Sequence, residues 1–241
     1  MNKNIGSSQR VGKPSAELKK ELVRSIMNFI YQKLPSWRDD IQRTHQDAEK
    51  RLNAQLCTYL SVQSRNEELP YIFDLDEFQT GERQIDIAVK PMNALFFAYG
   101  YSSIYQAITV IEAKRLPAPS KTREKEYIEG EKLSGGIQRY KLMLHGAKHS
   151  CAGMIGYVQK DSLQFYHKLI NKWIDELSTM KSDNWSSDEK LHPLVVDSGL
   201  GRSRTESSHI RMDGSIICLY HLWIEMNFKK GETFSKKTVV D

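Results

Sequence analysis

The chain has 241 residues, 39% of them apolar, enough to bury one sizeable core, or one core with a helical appendage. Its net charge of +5 and pI near 8.9 favour an anionic partner, but 35 basic residues stand against 30 acidic ones, so binding depends on where charge is placed. Cys57, Cys151 and Cys218 are far apart without CxxC spacing, which argues against a disulfide framework or zinc knuckle and fits a reducing cytoplasm; no apolar run approaches the roughly 20 residues of a spanning helix.

Residues 1–14 are polar and aperiodic and are expected to form a flexible tail. Pro14-Ser15 offers a cap for an amphipathic helix with Leu18, Leu22, Ile26 and Ile30, and residues 15–44 are assigned to an N-terminal helical extension. After Pro35 a second helical stretch carries Leu52, Leu56 and Leu60 on one stripe, and Glu49, three residues before Leu52, shares it. Strands are predicted over 71–75, over 84–89 after the turn-like Thr80-Gly81, and over 107–113 after a Tyr/Ser/Gly loop. A helix over 132–145, a strand over 151–158 and an amphipathic helix over 162–177 follow. Beyond a polar stretch at 181–190, Asp213-Gly214 marks a hairpin turn between strands 207–212 and 215–226.

Two strands carry the chemistry. Alternation over Gln84–Val89 places Ile85, Ile87 and Val89 on one face and Asp86 on the other. The run ending in Glu112-Ala113-Lys114 is apolar on both faces, as in a central strand, and period two sends Glu112 and Lys114 to the same side. Two carboxylates and a backbone carbonyl are hard oxygen donors suited to Mg²⁺, with Mn²⁺ as a substitute, so Asp86, Glu112 and the Ala113 carbonyl are the expected metal ligands. Lys114 would orient or deprotonate the attacking water, or stabilise charge developing on phosphate oxygens. The acid-x-Lys triplets at Glu17–Lys19 and Asp188–Lys190 fall in an amphipathic helix and a polar loop and read as solvated charge; a surface salt pair is the bland alternative for Glu112 and Lys114 as well.

With Ile85-Asp86 and Glu112-Ala113-Lys114 so placed, residues 45–160 resemble the PD-(D/E)XK nuclease superfamily. The resemblance implies an α/β, restriction-endonuclease-like αβββαβ core with a mixed central sheet, here assigned to residues 45–180, with 181–241 as a C-terminal strand and hairpin extension. It implies hydrolysis of phosphodiesters, DNA favoured over RNA, and a glutamate on the helix before the first strand, which Glu49 matches. Ile85 stands where such nucleases often carry proline. Gln138 occupies the following helix, where such nucleases often place a Gln or Tyr, and is a candidate to touch the centre, with a solvated helix face as the alternative.

Arg115, Arg139 and Lys141 adjoin that centre as candidate phosphate contacts within a mixed-charge stretch that includes Lys121, Arg123, Lys125 and Lys132. Period two aligns His209 with Arg211 as further candidates, with a charge-protected edge strand as the alternative. The aromatic residues Phe96, Phe97, Tyr99, Tyr101 and Tyr105 are expected to pack over the sheet rather than stack on bases. His145, His149 and His221 show no metal-ligand spacing. The helices before Glu49 are placed to dimerise, to meet a partner protein or to cap the core. Bacterial restriction or phage defence enters by analogy alone. A fold-retaining nucleic-acid-binding or assembly module without turnover, and an α/β domain with a coincidental triplet, stay open.

Overall fold

The computed structural model describes residues 16–45, 48–79, 83–92, 103–180 and 184–228. The expected tail at 1–14, the cap at Pro14-Ser15, the Thr80-Gly81 turn and the aromatic residues at 96, 97, 99 and 101 lie outside them. Among the described residues no helix is long and apolar enough to cross a membrane.

The chain is mixed α/β. A seven-stranded sheet has the order β1-β2-β3-β4-β7-β6-β5, with β1 Tyr71–Phe78, β2 Gln84–Pro91, β3 Thr109–Leu116, β4 Cys151–Val158, β5 Val195–Asp197, β6 Arg202–Ile210 and β7 Ile216–Glu225. β3, β4 and β7 run parallel; the other neighbours are antiparallel. β4 is buried along its whole length, as a central strand covered on both faces must be.

Four α-helices, α1 Ala16–Arg38, α2 Glu49–Asn66, α3 Gly136–Lys141 and α4 Leu163–Met180, and three 3₁₀ turns, Lys121–Arg123, Glu131–Leu133 and Ser187–Glu189, complete the described elements. α1 buries Ile26, Ile30, Leu34 and Trp37, and α2 buries Leu52, Leu56 and Leu60, in one apolar cluster with Ile87, Val89, Ile111 and Ala113. α4 buries Ile170, Trp173, Ile174 and Leu177 in a second cluster with Ile85, Val110, Met154 and Trp223. Burial of each large aliphatic side chain contributes about 1.5–3 kcal/mol, which favours this arrangement over isolated helices. Ser61 and Ser64 of α2 donate to the carbonyls of Phe73 and Tyr71, fixing α2 along β1.

Several sequence expectations need correction. α1 continues through Pro35, and the Tyr31 carbonyl that proline cannot serve accepts from Arg202 Nη1 at 2.7 Å. The helix expected over 132–145 shrinks to the six residues of α3, because Lys132, Leu133 and Met143 take positive φ and break the helix on both sides. β5 was missed, being only three residues long. The C-terminal hairpin is real, but β7 inserts beside β4 and so extends the central sheet. Tyr105 is exposed rather than packed.

Candidate active site

The site grows from a break in the sheet. β1 and β2 pair from Tyr71–Pro91 to Phe78–Gln84 but skip the Asp76–Asp86 position, where Asp76 has φ of 52°. Side-chain alternation slips there. Ile85 packs with the α4 cluster while Ile87 and Val89 pack with the α1/α2 cluster, so the expected common face for all three is corrected. The β2–β3 ladder ends at Ile87–Ile111, leaving the β3 edge beyond it without a backbone partner from β2.

Carboxylates take over that edge. Alternate N–H groups of a strand face the same neighbour, so those of Ala113 and Arg115 point where β2 has departed. Asp86 Oδ2 accepts from Ala113 N at 2.8 Å, and Glu49 Oε2 accepts from Arg115 N at 3.1 Å. Glu49, the first residue of α2, is held within reach by the apolar stripe of its own helix. The Ala113 carbonyl shares the edge with its N–H.

Glu112 and Lys114 project together, as period two requires. Lys114 Nζ lies 2.9 Å from Glu112 Oε1 and 3.3 Å from Glu49 Oε1. Arg139 Nη1 lies 2.7 Å from Glu112 Oε1, and His145 Nδ1 2.9 Å from Oε2. Glu112 is fully buried and Lys114 nearly so, whereas Glu49 and Arg139 are half-buried and form the solvent-facing rim. One ammonium, one guanidinium and one imidazole thus surround a fully buried carboxylate.

The two acids are driven apart electrostatically. Burial, then the charge of Glu112, pushes Asp86 up to about 8, against the pull of Lys114 and the Ala113 N–H. Burial would also raise Glu112, but Lys114, His145 and Arg139 outweigh it and hold its carboxyl down to about 2. Lys114 is raised in turn, because Glu112, Glu49 and Asp86 outweigh its burial.

α3 brings Arg139 to this cluster. The N–H groups of Gly136, Ile137 and Gln138 donate to the carbonyls of Glu126, Tyr127 and Ile128, satisfying the helix start with main chain. The approach is close: a Cβ at Gly135 would stand 2.2 Å from Glu129 Cα. His145 follows on the loop after α3, and Arg211 Nη2 braces that loop through the carbonyls of Gly146 and His149 at 2.7 and 2.8 Å.

The structure therefore brings together Asp86, Glu112, Lys114, Glu49 and Arg139, and adds His145. Other candidates go elsewhere. Gln138 Oε1 accepts from Gly130 N at 3.2 Å, which ties α3 to the preceding loop. Arg115 turns to Gln159 at 2.9 Å. Lys141 is buried against Glu189, 2.5 and 2.6 Å from its two oxygens, so its expected phosphate contact is corrected to an internal ion pair. His209 and Arg211 are likewise interior: His209 Nε2 meets Ser207 Oγ at 2.6 Å, and Arg211 is the loop brace. Arg123 pairs with Glu126 and Lys125 with Glu176, an ordinary mixed-charge surface.

His145 was missed because a histidine's approach to a carboxylate 33 residues away leaves no local spacing signal. Glu189 was read into a polar loop; only its position four residues past Trp185, whose ring lies 4.7 Å from Lys141 Nζ, hinted at burial. Among the described residues no group of three or more His, Cys, Asp or Glu side chains is placed to hold a metal ion. No family model, curated protein or solved structure matches the chain.

Proposed function

We propose that the chain is a Mg²⁺-dependent nuclease of the PD-(D/E)XK type, most simply a DNA endonuclease, with β1–β3, α2 and the α3–β4 segment forming its restriction-endonuclease-like core. The observation that carries the reading is the meeting of Asp86, Glu112, Lys114 and Glu49 where β2 leaves β3. A coincidental acid-x-Lys triplet would not need the second acid beside it.

The donors suit a hard divalent cation: two carboxylates of opposite proton affinity and the Ala113 carbonyl on the same edge. A cation held there would rely on main chain as well as side chains. Mg²⁺ bound by these groups would withdraw charge from phosphate oxygens, with Mn²⁺ as a substitute. An acid as reluctant to ionise as Asp86 gains most from a neighbouring positive charge.

Lys114 holds a proton firmly and so acts by orienting the attacking water and stabilising negative charge at phosphorus, rather than as a neutral base. Glu49 fixes Lys114 and the Arg115 N–H at one end of the centre. Arg139, at the rim, is placed to exchange Glu112 for a phosphate oxygen. Bacterial restriction or phage defence is the setting we propose, by analogy with compact nucleases of this type.

One observation favours a second reading, a nucleic-acid-binding or assembly module without turnover. Both oxygens of Glu112 are already engaged by Arg139, Lys114 and His145. Hydrolysis of circular DNA, linear DNA and single-stranded RNA with Mg²⁺ or Mn²⁺, against EDTA, separates the two: turnover supports the nuclease, and binding without turnover supports the module.

A further inference from the structure

Two of the three cysteines are neighbours in space. Cys151 at the start of β4 and Cys218 near the start of β7 are direct partners in a parallel ladder. Adjacent strands lie about 4.7–4.9 Å apart, inside the roughly 4.4–6.8 Å window of Cα separations that a disulfide spans. We infer that Cys151 and Cys218 form a thiol–disulfide exchange site for small anionic disulfides of the glutathione type.

The two sulfurs are differentiated. The neighbouring Cys218 thiol draws Cys151 below the ordinary thiol value despite its burial, with Ser150 and Lys20 helping and Glu206 opposing, while Cys218 is raised and retains its proton. Cys57 is as buried as Cys151 but is pushed up to about 12 by that burial and is not among the residues that line the cavity at Cys151, so it serves as an internal control.

Access and charge fit the ligand. Cys151 lines a cavity of about 470 Å³ whose wall also carries Lys19, Lys20, Lys148, His149 and one acid, Glu77, a cationic surround for the carboxylates of a glutathione-like molecule. Cys218 is half-buried beside it.

The chemistry balances with the disulfide as oxidant. The Cys151 thiolate attacks one sulfur of oxidised glutathione, the S–S bond breaks, and one glutathione thiolate leaves with the electron pair. Cys218 gives up its proton to the departing thiolate and attacks the Cys151 sulfur of the mixed disulfide. A second glutathione leaves, and Cys151–Cys218 is oxidised by two electrons. The link staples β4 to β7 and is independent of the nuclease reading.

The test is peptide mass mapping, without reductant, of the reduced full-length chain after exposure to oxidised glutathione. The expected result is a Cys151–Cys218 cross-linked peptide lacking two hydrogens, reversed by dithiothreitol, with Cys57 unmodified. Cys218→Ser should accumulate one glutathione on Cys151, and Cys151→Ser should react about tenfold more slowly. Separate glutathione adducts on Cys151 and Cys218 with no cross-link would overturn the inference. So would no reaction in the native chain under conditions where the same chain, denatured, reacts. The wild-type map decides even where a variant fails to fold.

Discussion

The Asp86 carboxylate takes the place of a β2 backbone group, accepting the Ala113 N–H at 2.8 Å just past the end of the β2–β3 ladder. That position is costly for a charge, and the cost sets a pH dependence. Asp86 is raised from 3.8 to about 8, so between those values the folded chain keeps a proton the unfolded chain has lost. Stability is fully present below 3.8 as regards this group and falls as pH rises toward about 8. Asparagine keeps the acceptor and removes the charge.

Asp86→Asn is therefore expected to stabilise the metal-free chain at pH 8, by on the order of 1 kcal/mol, with little effect at pH 4. Denaturant midpoints in EDTA at the two pH values measure this. Added Mg²⁺ should raise the wild-type midpoint and leave that of the variant nearly unchanged. Equal pH slopes for both proteins would remove Asp86 as the titrating group.

Glu112 has the opposite sign. Its folded value of about 2 lies below the ordinary 4.5, so its contribution is present above 4.5 and is lost as pH falls through about 2. Glu112→Gln leaves Lys114, Arg139 and His145 around a neutral amide, and is expected to cost about 3–5 kcal/mol near neutral pH. The double variant with Lys114→Met should recover part of that loss, by the non-additivity expected of residues in direct contact. Strict additivity in a double-mutant cycle would dissolve the pair.

On the nuclease reading, His145 positions Glu112 rather than meeting substrate. Its Nδ1 holds Oε2, and its ring lies edge-on to Tyr140 at 6.4 Å. His145→Asn is expected to lower kcat about 10- to 100-fold while nucleic-acid affinity stays within about twofold. Arg139→Ala should behave differently, weakening binding and lowering the salt slope of log K by about one. Parallel losses of kcat and affinity in both variants would erase the distinction.

Lys141 supplies a contrast. Its ion pair with Glu189 is enclosed, so Lys141→Ala is expected to cost about 3–5 kcal/mol in chemical denaturation and to leave the salt slope of nucleic-acid binding unchanged. A reduced slope with unchanged stability would restore Lys141 to the phosphate contacts.

The reach of the sequence follows from how local each signal is. The burial of Ile26, Ile30, Leu52, Leu56 and Leu60 was legible because helical period repeats over several turns, and the apolar run before Glu112 marked a central strand. Glu112 and Lys114 on one side needed only period two. The slip at Asp86 was not legible, since it depends on a positive φ at Asp76 in the neighbouring strand. The inward turn of Lys141, His209 and Arg211 was hidden for a related reason. Their partners, Glu189, Ser207 and the 146–149 loop, meet them only through the tertiary fold, and isolated cations read as solvated. The partnership of Cys151 with Cys218 required the β4–β7 register, which no spacing along the chain encodes.

The most direct test of the nuclease account is nicking of supercoiled circular DNA in Mg²⁺ by the wild type, Glu112→Ala and Lys114→Ala, each first shown to be folded. The account predicts conversion to open-circular and linear forms by the wild type alone, stopped by EDTA. Cutting retained in both variants, or no cutting by any of the three while all bind the DNA equally, would contradict it.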